Sequence, residues 1–173
     1  MHAITVRPES PDDVRAIDVV HISAFGGEAE AHLISALRDS DTYNRELSLV
    51  AELNGRIVGH VLLSRVALRH NGEEKNVLAL GPMSVVPSQS HRGIGSELIQ
   101  ACVGLAKEKG YGAIVVVGYP EYYRRFGFVP AREARVSCNL PAPEDAMTVM
   151  EIVPGNLDGG GHVEYPEPFM ALY

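Results

Sequence analysis

The sequence predicts an α/β (α+β) fold on a mixed sheet, and three observations carry that expectation. An Asn54-Gly55 pair separates two β-type runs, 47–53 and 56–63, the strongest short signal for an antiparallel hairpin, because both turn residues take positive φ. Farther on, an amphipathic stretch over 93–109 leads to the continuous apolar run Ala113-Ile114-Val115-Val116-Val117, which suits a strand covered on both faces. A strand, a crossing helix and a second strand of this length form a parallel pair with a right-handed connection. The size agrees: 173 residues, 46% hydrophobic and 21% charged, make one domain over 1–173 with room for a core and no internal repeat.

Each element has a local reason. Ala3 to Val6 alternates as a first strand does. Ser10-Pro11-Asp12-Asp13 supplies an N-cap, a proline at the first helical position and an acid at the third. A helix therefore runs from Pro11 to Ala24 and stops at Phe25-Gly26-Gly27, and a second covers Glu28 to Arg38 with Ala31, Leu33, Ile34 and Leu37 on one face. The hairpin follows, and Gly59 in its second strand marks either close approach of another backbone or a bulge. A third antiparallel strand, Val77 to Val86, comes after the Asn71-Gly72 turn. Gly81-Pro82 should kink or bulge it, since proline donates nothing to a ladder. Past 113–117, Val136-Ser137-Cys138 and 147–153 read as the last two strands, Asp158-Gly159-Gly160-Gly161 as a turn, and 165–173 as an extended tail.

The run Pro87-Ser88-Gln89-Ser90-His91-Arg92-Gly93-Ile94-Gly95-Ser96 joins the third strand to the central helix. In that helix Ile94, Leu98, Ala101, Cys102, Leu105 and Ala106 recur at helical spacing, and Lys107, Lys109 and Gly110 close it. Its first turn has free N–H groups, and Gly93 and Gly95 offer no Cβ obstruction, so a phosphate or pyrophosphate is expected there. Ser90-His91-Arg92-Gly93-Ile94-Gly95 resembles the acyl-CoA-binding motif of the GNAT superfamily of N-acetyltransferases, Gln/Arg-x-x-Gly-x-Gly/Ala, with Ser90 where that family usually has Gln or Arg. Pro120-Glu121-Tyr122-Tyr123-Arg124-Arg125-Phe126-Gly127-Phe128 resembles the short helix and Tyr-x-x-x-Gly-Phe ending of the same family. Two motifs in order, with one helix and one strand between them, are far more specific than either alone. The resemblance implies the GNAT fold: a mixed, mostly antiparallel sheet of about seven strands flanked by about four helices, with a splayed parallel strand pair at the acyl-CoA site.

It also implies acetyl-CoA as cosubstrate, no metal, and transfer of the acetyl group by direct attack of an amine in a ternary complex. The N–H groups of His91, Arg92, Gly93, Ile94, Gly95 and Ser96 would hold the pyrophosphate. Main-chain groups of Met83, Ser84 and Val85 would pair with the pantetheine arm, Val85 marking the donor aimed at the thioester carbonyl. Such a donor is typically worth ~3 kcal/mol in the transition state. Tyr123 occupies the position of the family's general acid, and Tyr122 is the rival phenol. A phenol titrates near ~10 and a thiol near ~8.5, so protonating the departing thiolate is uphill by only about 2 kcal/mol. The Asn that many members carry before that Tyr is absent. Glu28, Glu30, Glu121 and a water chain are the candidates for a general base, and the direction of His60 and Ser64 on their strand stays open. No Cys or Ser has a recognisable activating partner, so no covalent enzyme intermediate is expected.

Composition narrows the alternatives. Net charge is −7 and no Lys/Arg cluster recurs along a helix face, which argues against nucleic acid; the acceptor that the resemblance implies is an amine, on a small molecule or a protein. Cys102 and Cys138 show no metal spacing and read as buried thiols, and the seven histidines form no H-x-x-x-H pair. No run is long enough to span a bilayer, and 1–8 lacks a secretory apolar core, so a cytoplasmic location without membrane contact is expected. The resemblance is compatible with a homodimer. Two rival readings are a non-catalytic acyl-CoA-binding sensor of the same fold and a dinucleotide-binding oxidoreductase. The latter fails because position 98 is Leu where G-x-G-x-x-G needs its third glycine.

Overall fold

The computed structural model describes residues 3–173. Its strands are Thr5–Pro8 (β1), Ser48–Leu53 (β2), Arg56–His70 (β3), Glu73–Val85 (β4), Ala113–Val117 (β5), Val129–Pro130 (β6), Val136–Cys138 (β7), Met147–Glu151 (β8) and Gly161–Glu164 (β9). Its α-helices are Val14–Phe25 (α1), Ala29–Arg38 (α2), Ile94–Lys109 (α3) and Pro120–Arg124 (α4). They fall into two compact units, one made of Met1–Ser64 with Gly81–Cys102 and the other of Arg65–Leu80 with Val103–Tyr173. The chain passes between them in β3, β4 and α3.

In the first unit β1 pairs antiparallel with β2, and β2 with the first part of β3. Asn54 and Gly55, at φ 54° and 77°, make the tight hairpin turn that their sequence demands. Helix α1 is entered through a 3-10 turn at Pro11–Asp13, where the Ser10 N–H donates to Asp13 Oδ2 at 2.8 Å. It buries Ile17, Val20 and His21 and ends at Gly26, whose left-handed φ of 76° lets its N–H reach the Ile22 carbonyl. Helix α2 buries the four residues that its spacing singles out. A Cβ added at Gly59 would stand 3.2 Å from both Ile94 Cγ2 and Leu98 Cδ1. The close approach is thus made by side chains of α3 rather than by backbone, and the irregularity sits opposite, as a register shift between Ala51 and Glu52.

In the second unit β4 and β5 pair in parallel at Leu78↔Ile114 and Ala79↔Val115. Strand β5 pairs antiparallel with β8, β6 with β8, and β9 with β3, while β7 and β9 run parallel. The mixed, mostly antiparallel sheet with a parallel β4–β5 pair is therefore present. Strands β6 and β9 were not legible in the sequence, being two and four residues long.

Several boundaries differ from expectation. Strand β1 starts at Thr5 rather than Ala3, because the pairing with β2 begins at Thr5↔Glu52 and carries it on to Pro8. The 165–173 tail is not extended: Glu167–Leu172 is a 3-10 helix that buries Phe169 edge-on to Tyr165, ring centroids 5.1 Å apart. Strand β8 stops at Glu151, where the Ile152 and Val153 N–H groups both turn to the Gly112 carbonyl. Cys102 is buried, but Cys138 is only partly covered. Strand β4 runs through Gly81-Pro82, whose peptide is cis.

Candidate functional site

The loop from β4 to α3 contains a 3-10 turn at Pro87–Gln89, fastened when the Ser90 hydroxyl donates to the Pro87 carbonyl at 2.9 Å. His91 and Gly93 then take φ 64° and 79°, and His91, Arg92 and Gly93 are exposed. The first intrahelical bond of α3 runs from the Glu97 N–H to the Gly93 carbonyl, 3.0 Å. By helix geometry the N–H groups of Ile94, Gly95 and Ser96 precede that bond and have no acceptor within the helix. With 16 residues behind them, their aligned dipoles give the turn a positive end. A Cβ at Gly93 would meet nothing within 4 Å, so the approach to the turn is open. Of the six residues expected to grip a diphosphate, His91, Arg92 and Gly93 lie on the exposed loop leading into α3 and Ile94, Gly95 and Ser96 on its first turn.

Upstream, β4 shows the alternation of a strand at its C-terminal end: Met83 and Val85 are half-buried and Ser84, between them, is buried. The Val86 N–H donates to the Val58 carbonyl at 2.8 Å, which ties the end of β4 to β3. In the second unit Tyr123 is buried on α4, with its ring edge-on to Tyr122 at 5.3 Å and to Phe128 at 5.6 Å. Tyr122 is half-buried, burial pushes its phenol up, and Arg125 lies over its ring at 5.4 Å. The base candidates from the sequence are on the surface: Glu28 faces His32 at 3.7 Å, Glu30 is half-exposed in the first turn of α2, and Glu121 pairs with Arg124 at 3.4 Å. Two clefts in the second unit, about 420 Å³ beside Arg135 and Asp158 and about 150 Å³ beside Val117 and Cys138, are lined by none of the predicted site residues.

What the sequence did not point to is a line of buried polar side chains in the first unit. Arg38 Nε donates to Glu9 Oε2 at 3.2 Å, and the Ser48 hydroxyl donates to Glu9 Oε1. Ser48 Oγ is 2.8 Å from His60 Nε2, His60 Nδ1 is 2.8 Å from His21 Nε2, and His21 Nδ1 is 2.7 Å from Ser84 Oγ. Glu9 is 3% exposed, and Ser48, His60 and His21 are fully buried. Burial alone would raise the Glu9 carboxyl, but the nearby His60 and hydrogen bonds from Ser48 and Arg38 overcome it and hold the group at about 2. Burial pushes His21 down to about 3, and it lowers His60 despite the nearby carboxylate. Both imidazoles are therefore neutral, and the 3.7 Å approach of His60 to Glu9 is not an ion pair. Among the described residues no group of three or more His, Cys, Asp or Glu is placed to hold a metal, and no helix is long and apolar enough to cross a membrane.

The mixed sheet with its parallel β4–β5 pair is that of the N-acetyltransferase class, and the chain belongs to the Acetyltransferase (GNAT) family, which it matches over residues 15–128. Among its relatives is the uncharacterized N-acetyltransferase YhbS of Escherichia coli K12, 32% identical over 166 residues covering 95% of this chain and 97% of that one. Another is the uncharacterized N-acetyltransferase YjhQ of the same strain, 30% identical over 84% of this chain and 81% of that protein. The crystal structure of E. coli YhbS in complex with CoA superposes with a TM-score of 0.90, covering 98% of this chain and 93% of that one. A GNAT family acetyltransferase from Brucella melitensis in complex with acetyl-CoA, 30% identical, gives a TM-score of 0.78 over 98% and 99% of the two chains.

Proposed function

We propose that this protein transfers the acetyl group of acetyl-CoA to an amine, on a small molecule or a protein, by direct attack within a ternary complex. The observation that carries the reading is the opening turn of α3: three amides without helical acceptors, behind an exposed loop at positive φ, in a chain whose 32%-identical relative has been crystallised with CoA. In this reading the amides of His91, Arg92, Gly93, Ile94, Gly95 and Ser96 hold the diphosphate, because oriented N–H dipoles at a helix start attract anions. Main-chain groups of Met83, Ser84 and Val85 carry the pantetheine arm, with one donor on the carbonyl oxygen as it gains charge. Tyr123 protonates the departing thiolate.

The experiment is free thiol release from acetyl-CoA against a panel of amines, with Tyr123→Phe alongside. Turnover with at least one amine class, lowered at least about tenfold by Tyr123→Phe with coenzyme A affinity kept, is the expected result. Tight acetyl-CoA binding with no turnover on any amine would sink the reading in favour of an acyl-CoA sensor.

A further inference from the structure

Glu9 is an anion and can only accept, so the single proton of the Ser48 hydroxyl is committed to it. Ser48 Oγ must then accept from His60, which places the His60 proton on Nε2 and leaves Nδ1 as an acceptor. His21 in turn donates from Nε2 to His60 Nδ1 and presents Nδ1 as an acceptor to Ser84. The Ser84 hydroxyl proton is thereby drawn inward. One buried charge thus fixes the direction of every hydrogen bond along a line joining the loop after β1, strands β2 and β3, helix α1 and strand β4.

We propose that Ser84 and the Glu9–Ser48–His60–His21 line behind it are positioning residues for acetyl transfer, setting the main chain of β4 at Met83, Ser84 and Val85 against the thioester. The inference rests on the acetyltransferase reading for what that strand does, and on this unit's own geometry for how the strand is held. Ser84 is buried between half-buried neighbours, so its side chain and theirs leave opposite faces of the strand. A tether on the Ser84 side fixes the strand without occupying the face of Met83 and Val85. Helix α1 is rigidly seated through Ile17 and Val20, both 1% exposed or less, so the 2.7 Å bond from Ser84 to His21 anchors a strand end to a packed helix. Displacements of about 1 Å from changes remote from the chemistry can cost about a hundredfold in rate, which is the lever that this tether controls.

The test compares Ser84→Ala, Ser84→Thr and Glu9→Gln in the full chain. Ser84→Thr keeps the hydroxyl and Ser84→Ala removes it. Glu9→Gln keeps shape but offers Ser48 a donor, which permits the whole line to reverse. Ser84→Ala should lower kcat about tenfold or more, with coenzyme A affinity falling by less than kcat because the diphosphate grip of the α3 turn is untouched, and Ser84→Thr should restore kcat. Imidazole nitrogen NMR at neutral pH should show both His21 and His60 protonated on Nε2 in the wild type, with that pattern lost in Glu9→Gln. A second readout needs no acceptor: acetyl-CoA isotope-labelled at the acetyl carbonyl should show a bound carbonyl resonance that moves toward its free position in Ser84→Ala and not in Ser84→Thr. Equal kcat and equal carbonyl resonance in folded wild type and Ser84→Ala overturn the inference while leaving the transferase reading intact. A Ser84-dependent resonance without turnover on any amine upholds the tether and rejects transfer. A protonated Nδ1 on His21 in the wild type overturns the directional line itself.

Discussion

Acid should unfold this protein through His21. In the folded chain its imidazole titrates at about 3, against an ordinary value of 6.5, because burial between Ser84 and His60 penalises the cation and His60 and Arg38 oppose it further. A group whose folded value is depressed stabilises the fold above its unfolded value and loses that contribution as pH falls. The window is therefore from about 6.5 down to about 3. At about pH 4 the unfolded chain holds the proton and the folded chain still refuses it, so the loss from this one side chain is on the order of 3 kcal/mol relative to neutrality. Burial lowers His60 as well, with Arg38 opposing its cation and Glu9 and Asp18 favouring it, so it adds in the same direction. Glu9, held at about 2, begins to add below 4.5. Urea unfolding followed by circular dichroism across this pH range measures the effect, with His21→Gln as the reference that cannot titrate. The wild-type stability should fall more steeply than the variant's by the stated amount, whatever their offset at neutrality. Parallel declines would refute the reasoning, since they would mean that His21 takes its proton in both states alike.

Other outcomes can be checked more directly. Gly59→Val places two methyl groups where Ile94 and Leu98 already stand 3.2 Å from a bare Cβ; calorimetry should show a loss of about 2 kcal/mol, or about 4–8 °C in thermal midpoint. Gly160→Ala is worse, about 3 kcal/mol, because the residue sits at φ 77° and its Cβ would fall inside contact distance of the Arg135 carbonyl oxygen. In thiol labelling of the native protein Cys138 should react before Cys102, since both thiols are pushed up by burial but Cys102 is completely enclosed. Labelling of Cys102 at the rate of Cys138 would contradict that burial.

The elements that could be read from sequence are those whose causes are local. The Asn54-Gly55 turn, the Ser10-Pro11 entry to α1, the apolar stripe of α2 and the loop opening α3 each rest on residues within a few positions of one another, and each is found at its expected place, although Pro11–Asp13 forms a 3-10 turn and α1 proper begins at Val14. Gly59 stands out by its residue type alone, but only the structure shows that two side chains of α3 are what it admits. Strand β9 exists because β3 and β7 pair with it from distant parts of the chain, so nothing within its four residues announces it. The buried polar line is the extreme case. Its bonds join residues 39, 12 and 63 positions apart, and a lone His at the end of an apolar stripe reads equally well as an interior or a boundary residue. The available signal was positional: His21 lies four residues after Ile17 on the buried face of α1, and Ser48 opens a strand whose next three residues are apolar.

The energetic cost of that line bears on why it is there. Buried polar side chains joined to a charge stabilise a fold less than apolar ones of equal volume, while breaking such a set strands the remainder and is costly. A core needing only cohesion would fill the space between α1, β2 and β3 with more of the Leu, Ile and Val that surround it. What the polar line adds is direction, and direction requires the charge to stay put. Arg38 supplies that from the last residue of α2, where a cation also meets the negative end of the helix. Arg45 secures the same residue through the Glu9 carbonyl at 2.8 Å. Without a fixed anion, hydroxyls and neutral imidazoles could run their hydrogen bonds either way, and Ser84 would alternate between donor and acceptor. With it, α2 contributes to the strand beside the α3 turn through Arg38 at its far end, not through the exposed acids Glu28 and Glu30 at its start.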